Sequence, residues 1–190
     1  SGHGLPKDSH HGHAFYLPED ADGDGHIDHI LVHAHHGLSG TPLRALDRIN
    51  LLWEKGGGEW PVLLEQYGSL EAIAGSSYTG PARQWISVTP YLHPWYRKKS
   101  LTVEDQIRRE CRERGLPEPE IEYQKTIPVR GRERRSVHFH RFRSKRGLRQ
   151  PDTRGGFWRL TFPEAIEGPL ALGFGCHYGL GMFRRVNDPT

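Results

Sequence analysis

The sequence predicts an α+β protein in which an antiparallel sheet carries its helices on one face. Short apolar runs bounded by glycine and proline recur along the chain, as is typical of strands. Two other stretches carry the start and stop signals of helices. Strands and helices do not alternate regularly, and no internal repeat is present, so a parallel βαβ sheet is not expected.

Several runs have the composition of strands. The clearest places Phe157, Arg159 and Thr161 on one side and Trp158, Leu160 and Phe162 on the other. The first strand should end at Pro18, which cannot donate to a ladder, and a polar turn over 19–25 should follow it. The predicted strands cover residues 13–17, 26–34, 85–92, 121–127, 137–142, 157–162 and 170–172.

The first predicted helix has a clear beginning and end. Thr41 is a good N-cap, Pro42 suits the first helical position, and Gly56 would stop the helix. One face of this helix would carry the apolar residues Leu43, Leu46, Ile49, Leu52 and Trp53. Glycine and serine then dominate residues 56–84, where we expect loops and a short helix near 62–66.

The second predicted helix opens with a capping box. Thr102 and Asp105 can each bond the other's backbone, and the helix should run to Arg114 before Gly115 and Pro117 end it. Both ends of this helix are therefore predicted by specific residues.

Length and composition bound the class of protein. The 190 residues suit one domain or two small ones, and five Trp, seven Tyr and seven Phe can seed a core. No apolar run approaches the roughly 20 residues of a membrane span. Two cysteines cannot form a disulfide framework, which favours a reducing cytosol. The opening Ser1-Gly2, without an initiating methionine, leads us to expect a part of a longer protein.

Positive charge is concentrated in residues 130–149, which we call the basic segment. Nine bases and one acid give it a net charge of +8. The whole chain carries +3, so the net charge of the remaining residues is −5. Such a block favours a polyanionic partner, and the alternative is a solvated, flexible arm. The bases are Arg130, Arg132, Arg134, Arg135, Arg141, Arg143, Lys145, Arg146 and Arg149.

Histidine is concentrated at the other end of the chain. Nine of the thirteen histidines lie within the first 36 residues. His11 and His13 are two residues apart, so an extended chain would project them on the same side. Imidazole is the side chain best suited to proton transfer near neutral pH. The alternative is a surface histidine cluster, or a tail that binds metal ions without function.

An acidic loop over 20–28 has the pattern of the first nine positions of a calcium loop. Carboxylates stand at positions 1, 3, 5 and 9 and a glycine at position 6, but position 12 is Leu31. We therefore favour an Asp-rich turn in which the carboxylates cap the backbone, with weak calcium binding as the alternative.

The same loop is also one residue away from a hydrolase motif. The residues Asp24, His26, Asp28 and His29 resemble the HxHxDH pattern of metallo-β-lactamase-type hydrolases, with Asp24 in place of the first histidine. If 26–34 is a strand, His29 points away from His26 and Asp28, which weighs against a zinc site.

The most specific signal is the glycine-rich loop near the C-terminus. Its alternating glycines would let backbone N–H groups approach a phosphate, because no Cβ blocks the way. It lacks the lysine and serine of a Walker P-loop and does not open a helix as a dinucleotide motif does. Together with the basic segment it suggests binding to an RNA backbone. The glycines are Gly173, Gly175, Gly179 and Gly181.

Taken together, these stretches resemble the Cas-six family of CRISPR repeat-processing endoribonucleases. The similarity is greatest to the type I-G (formerly I-U) subunit, in which a Cas-five-like half is fused to a Cas-six-like half. The stretches that carry it run in the expected order along nearly the whole chain. They are HGHAFYLP (11–18), DADGDG (20–25), DH (28–29), TPYLHP (89–94), RGLP (114–117) and residues 168–183.

The resemblance implies a fold, an activity and partners. The fold would be two ferredoxin-like (RRM-like) βαββαβ halves, at about 10–80 and 85–185, excised from the longer fusion. The activity would be cleavage of precursor CRISPR RNA by the ribose 2′-OH, leaving a 2′,3′-cyclic phosphate and a 5′-OH, with no metal and no cofactor. The partners would be CRISPR repeat RNA and other subunits of a type I effector complex in a prokaryotic cytoplasm, without a membrane.

The resemblance also suggests where the chemistry lies. Histidines near the first strand, His11 and His13, are the first candidates for the catalytic base or acid, His177 is the next, and Tyr16 is a weaker one. The basic segment and the four glycines would bind RNA, and Trp95, Tyr96 and Tyr178 could stack on bases. Two alternatives stay open: a non-catalytic subunit that caps a guide-RNA hairpin, and a metal-dependent hydrolase that uses the acidic loop.

Overall fold

The computed structural model describes most of the chain. It covers residues 13–38, 40–54, 56–70, 72–73, 75–139, 144–145, 148–150 and 152–186, with the backbone alone at 144–145 and 148–149. The strands are β1 Phe15–Glu19, β2 His29–His33, β3 Leu51–Trp53, β4 Glu59–Pro61, β5 Pro81–Ser87, β6 Glu120–Gln124, β7 Ile127–Val129, β8 Arg132–Arg134, β9 Ser144–Lys145, β10 Leu148–Arg149, β11 Phe157–Glu167, β12 Leu170–Ala171 and β13 Met182–Arg185. The helices are α1 Thr41–Asp47 and α2 Val103–Glu113, with 3₁₀ turns at Ser136–Phe139 and Cys176–Tyr178.

A five-stranded antiparallel sheet forms the centre of the protein. Its strand order is β12-β13-β5-β11-β6, and the remaining strands form two-stranded antiparallel pairs. The long strand β11 pairs with β5 on one side and β6 on the other. Two helices and antiparallel sheets confirm the predicted α+β class.

Helix α2 covers one face of this sheet. Its capping box is formed as predicted, with Thr102 Oγ1 accepting from the Asp105 N–H. Ile107 and Cys111 on its inner face are fully buried against the sheet. The sheet contributes the alternate residues of its strands to this core, namely Trp85, Trp158, Leu160, Phe162, Leu170, Leu172 and Phe183.

The β1–β2 hairpin forms a second, smaller core. It packs there against the side chains of β12 and β13 that point to the opposite face of the sheet from the first core. Phe15, Leu17 and Leu31 pack there with Ala171 and Met182. The neighbours of those last two, Leu170 and Phe183, belong to the first core, as the alternation of side chains along a strand requires. The hairpin therefore lies on the opposite face of the sheet from α2.

The first helix is shorter than the sequence predicts. It ends at Asp47, buries no residue, and has Gly40 rather than Thr41 at its N-cap position. The predicted helix beyond that point is wrong, because Leu51–Trp53 pairs with Glu59–Pro61 as a hairpin. Gly56 and Gly57 have positive φ in the turn between them, so these glycines reverse a strand instead of ending a helix.

Four smaller differences concern strand and helix boundaries. Pro18 lies within β1, because in a two-stranded hairpin each strand has a free edge. The short helix predicted near 62–66 is absent. Of the strand predicted over 137–142, residues 136–139 form a 3₁₀ turn closed by Arg135 and His138, and 140–142 lie outside the described residues. The final strand, β13, was not predicted.

No helix in the described part of the chain is long and apolar enough to cross a membrane. The longer of the two helices, α2, has 11 residues.

Candidate active site

The β1–β2 hairpin fixes the first part of the site. Side chains of β1 alternate between buried and accessible, which places Phe15 inside and Tyr16 outside. Phe15 stands opposite His33 in the antiparallel register. The hairpin therefore sets the buried ring of Phe15 beside an imidazole of the neighbouring strand.

Three imidazoles lie around Phe15 and a fourth contacts one of them, and we call His13, His33, His35 and His177 the imidazole cluster. The ring of His177 stacks on Phe15 with centroids 4.2 Å apart, and His35 meets the same ring edge-on at 5.6 Å. His33 Nε2 and His35 Nδ1 are 3.4 Å apart. The ring of His13 lies edge-on to His177 at 5.5 Å. The cluster thus joins both strands of the hairpin to the glycine-rich loop.

Glycines hold His177 in this position. Cys176–Tyr178 forms a single 3₁₀ turn bracketed by Gly175 and Gly179, whose φ angles of 79° and 80° favour glycine. A Cβ on Gly179 would lie 2.7 Å from Pro18 Cδ. The loop can therefore pack directly on β1 only because this position has no side chain.

Helix α2 anchors the loop from the other side. Both oxygens of the buried Glu110 carboxyl are engaged, Oε1 by the Tyr91 hydroxyl at 2.7 Å and Oε2 by the Gly173 N–H at 2.8 Å. One turn further along α2, Arg114 donates to the Ala171 carbonyl, and its guanidinium lies 5.8 Å from the centre of the Phe15 ring. These contacts tie the imidazole cluster to the most buried helix of the fold.

Burial favours the neutral form of three imidazoles in the cluster, His33, His35 and His177. Burial lowers the pKa of His33 to about 4, and the neighbouring His35 adds to this effect. Burial is also the largest cause that lowers the pKa of His35 and of His177, and the Arg114 charge acts in the same direction on both. A hydrogen bond with the backbone of Ala14 opposes the shift at His177. At neutral pH these three rings can accept a proton.

The structure brings together some of the predicted catalytic residues and separates others. His13 and His177, which are 164 positions apart in the sequence, are neighbours. Tyr16 lies on the other side of β1, where its ring is parallel to that of Tyr178. His11 falls outside the described residues.

Sequence reasoning missed His33, His35 and Arg114. A signal for the two histidines was present, because they are two residues apart at the end of a predicted strand and so share a side of it. Which side faces Phe15 depends on the hairpin register, which the turn sets. The contacts that bring Arg114 to the site are with residues 57 and 62 positions away, so a local pattern does not predict them.

The basic segment begins beside the acidic loop. Arg130, with φ of 50°, donates from Nε to the Gly25 carbonyl at 2.8 Å. Arg132 and Arg134 lie in β8, which pairs with β7, and Arg135 follows. Of the remaining predicted RNA-binding bases, Lys145 and Arg149 have a described backbone in the β9–β10 pair. Arg141, Arg143 and Arg146 lie outside the described residues.

The acidic loop caps its own backbone, as the preferred interpretation predicted. Asp20 accepts from the N–H groups of Gly23 and Gly25, and Asp28 accepts from that of Ala21. Position 12 of the calcium pattern, Leu31, is buried in the second core. Within the described residues, one group of carboxylates has the spacing to hold a cation, with ligand oxygens within 4.8 Å of one another: Asp20, Asp22 and Asp24.

The loop does not assemble the ligand set of the hydrolase motif. His26 Nδ1 is 3.1 Å from Asp24, and His29 bonds Asp28 and Glu65. These four residues do not form a metal-ligating group among the described side chains. His26 also lies before β2, which starts at His29.

The predicted stacking residues differ in accessibility. The backbone N–H of Trp95 donates to the Gln106 side chain, and the Arg109 guanidinium lies 4.4 Å from its ring centre, so Trp95 helps to hold its loop on α2. Tyr96 and Tyr178 are largely exposed.

Comparison of the chain with protein-family models, with curated proteins and with solved structures gave no match. What the imidazole cluster can do is therefore inferred from its own geometry and charge.

Proposed function

We propose that the protein is a metal-independent endoribonuclease of the Cas-six type that binds CRISPR repeat RNA and cleaves precursor CRISPR RNA. The observation that carries the proposal is the imidazole cluster, in which four histidines meet at the contact between the first hairpin and the glycine-rich loop. Imidazoles that are neutral at physiological pH are suited to general-base catalysis.

The proposed reaction needs one proton acceptor and one proton donor. A neutral imidazole, His177, takes the proton from the 2′-hydroxyl, whose oxygen attacks the adjacent phosphorus. The bond from phosphorus to the 5′-oxygen breaks, and a second imidazole, His13, gives that oxygen its proton. The products are a 2′,3′-cyclic phosphate and a 5′-OH, and no other reactant is consumed. The 5.5 Å between these rings leaves a reacting phosphate within reach of both.

The order of the strands supports a ferredoxin-like fold for residues 85–185. In chain order the four strands of such a unit would be β5, β6, β11 and β13, and their order in the sheet is then 4-1-3-2. Helix α2 stands in the place of the first helix. Between β11 and β13, where the second helix would lie, the chain instead has β12 and the glycine-rich loop.

Charge supports an RNA substrate. The basic segment starts where Arg130 docks on Gly25, at the turn that connects β1 to β2. The imidazole cluster lies at the opposite end of the same hairpin, and β1 spans about 13 Å at roughly 3.3 Å per residue. RNA bound along the hairpin would therefore contact the basic segment at one end and the imidazoles at the other.

The proposal is tested by incubating the protein with a panel of CRISPR repeat hairpin transcripts in the presence of EDTA. We expect at least one transcript to be cut at a single position, with cyclic-phosphate and 5′-OH ends. Cleavage that requires Mg²⁺ or Zn²⁺ would overturn the proposal in favour of the acidic-loop hydrolase. Tight binding without cleavage would overturn it in favour of a subunit that caps the guide-RNA hairpin.

A further inference from the structure

Two exposed tyrosine rings lie side by side next to the imidazole cluster. The rings of Tyr16 and Tyr178 are within 5° of parallel, with centroids 6.4 Å apart. Their exposed fractions are 41% for Tyr16 and 69% for Tyr178. Each ring directly follows a residue of the site in the sequence, the buried Phe15 in one case and the half-buried His177 in the other.

The backbone fixes both rings in place. Tyr16 stands on the accessible side of β1, and Tyr178 ends the 3₁₀ turn of the glycine-rich loop. Gly179 packs closely against Pro18, so the loop lies directly on β1. This packing places the backbone of Tyr178 close to that of Tyr16. The two rings are therefore parallel in the protein without a bound partner.

We propose that Tyr16 and Tyr178 form a stacking platform for an unpaired base of single-stranded RNA next to the imidazole cluster. This inference rests on the proposed function and assigns the platform a substrate feature, a base turned out of its helix. Exposed aromatic faces bind unpaired bases by stacking, and they do so with little preference for base identity. A base held on the platform would position the adjoining ribose and phosphate at the neighbouring imidazoles.

The geometry separates this role from catalysis by the Tyr16 hydroxyl. Tyr16 and Phe15 point to opposite sides of β1, so the Tyr16 ring lies outside the group of rings around Phe15. Stacking uses the ring face and does not need the hydroxyl. Phenylalanine should therefore replace either tyrosine without loss, whereas leucine should not.

The test measures binding of two fluorescein-labelled probes, a 12-nucleotide oligoadenylate and an abasic oligonucleotide of the same length. The variants are Tyr16→Leu, Tyr178→Leu and the two phenylalanine substitutions. Tyr67→Leu is the matched control, because Tyr67 has the same 69% exposure as Tyr178 and belongs to no part of the site. Thermal denaturation of each variant confirms that it is folded.

We expect each leucine variant to bind oligoadenylate roughly tenfold more weakly, with abasic RNA unaffected. The phenylalanine variants and Tyr67→Leu should match the wild type. Unchanged binding of oligoadenylate by both leucine variants would overturn the platform while leaving the endoribonuclease proposal intact. Equal losses in the phenylalanine and leucine variants would also overturn it, because the hydroxyl would then carry the effect. Failure of the wild type to bind any RNA would remove the proposed function and the platform together.

Discussion

The five-residue strand β2 begins and ends with a histidine. The two histidines differ in exposure, in the side chains they contact and in the direction of their pKa shift. At one end, His29 is exposed and bonds the carboxylates of Asp28 and Glu65, which raises its pKa. At the other end, His33 packs among Phe15 and His35, and burial lowers its pKa to about 4. One hairpin thus holds a histidine that favours the charged form and another that stays neutral.

The difference shows that surroundings, more than residue type or strand position, decide what these histidines can do. The acidic loop satisfies its own charges, since its carboxylates bond its backbone and its histidines. The imidazole cluster contains no carboxylate in the described ring contacts, and the positive charge of Arg114 acts on His35 and His177. We therefore assign the proton transfers of the proposed reaction to the cluster and a structural role to the loop.

The largest expected effect is on RNA cleavage. His177→Ala should lower the single-turnover cleavage rate by about 10²- to 10⁴-fold, because it removes the proposed general base. His29→Ala, at the acidic-loop end of β2, is the control and should cleave at the wild-type rate. The comparison is contradicted when both substitutions slow cleavage equally, or when only His29→Ala does.

A second comparison uses glycines of the two regions. A Cβ on Gly181 would lie 1.8 Å from the Leu172 carbonyl oxygen, so Gly181→Ala should destabilise the fold by about 3 kcal/mol. Gly23 in the acidic loop also has positive φ, but its Cβ would meet nothing within 4 Å, and Gly23→Ala should cost only about 1 kcal/mol. Urea denaturation measures both, and equal losses would show that the glycine-rich loop is not packed as described.

The opposite pKa shifts predict opposite dependences of stability on pH. Because folding lowers the pKa of His33, its neutral form is favoured, and the stability it supports is complete above pH 6.5 and falls as the pH drops from 6.5 towards 4. His29 has a raised pKa and contributes stability below pH 6.5 that is lost as the pH rises. His33→Gln should therefore flatten the decline of the urea midpoint between pH 6.5 and 4, whereas His29→Gln should reduce the decline that occurs as the pH rises above 6.5. The same change in both variants would refute the assigned directions.

The smallest effect concerns the contact between His29 and Glu65, which joins residues 36 positions apart at 2.8 Å. Glu65→Gln removes one of the two carboxylates and should lower the NMR titration midpoint of His29. Cleavage and the urea midpoint should not change, since an exposed ion pair contributes little to stability. A shift in the titration of His33 would instead reveal coupling between the two ends of the strand.

The elements with strong local signals were predictable. The capping box at Thr102 fixed the start of α2, and the alternation of residues 157–162 identified β11. The error at α1 arose because Leu51 and Leu52 fit a helical period as well as a strand. Pairing with β4 decides between the two, and that is a tertiary contact.

The site was only partly predictable for the same reason. His13 and His177 were suggested by the family resemblance, whereas His33 and His35 required the register of the hairpin, and Arg114 required the packing of α2 against the glycine-rich loop. A pKa that is lowered by burial depends on neighbours from distant parts of the chain. The concentration of histidine near the N-terminus therefore pointed to the β1–β2 hairpin. It did not distinguish the acidic-loop end of the hairpin from the end that holds the imidazole cluster.

The most direct test of imidazole-driven cleavage uses one transcript with a 2′-deoxy nucleotide immediately before the cut site. We expect the protein to bind this RNA as tightly as the unmodified one and to leave it uncut in EDTA, because the attacking hydroxyl is absent. Cleavage of this RNA at the same position would show that another nucleophile performs the reaction.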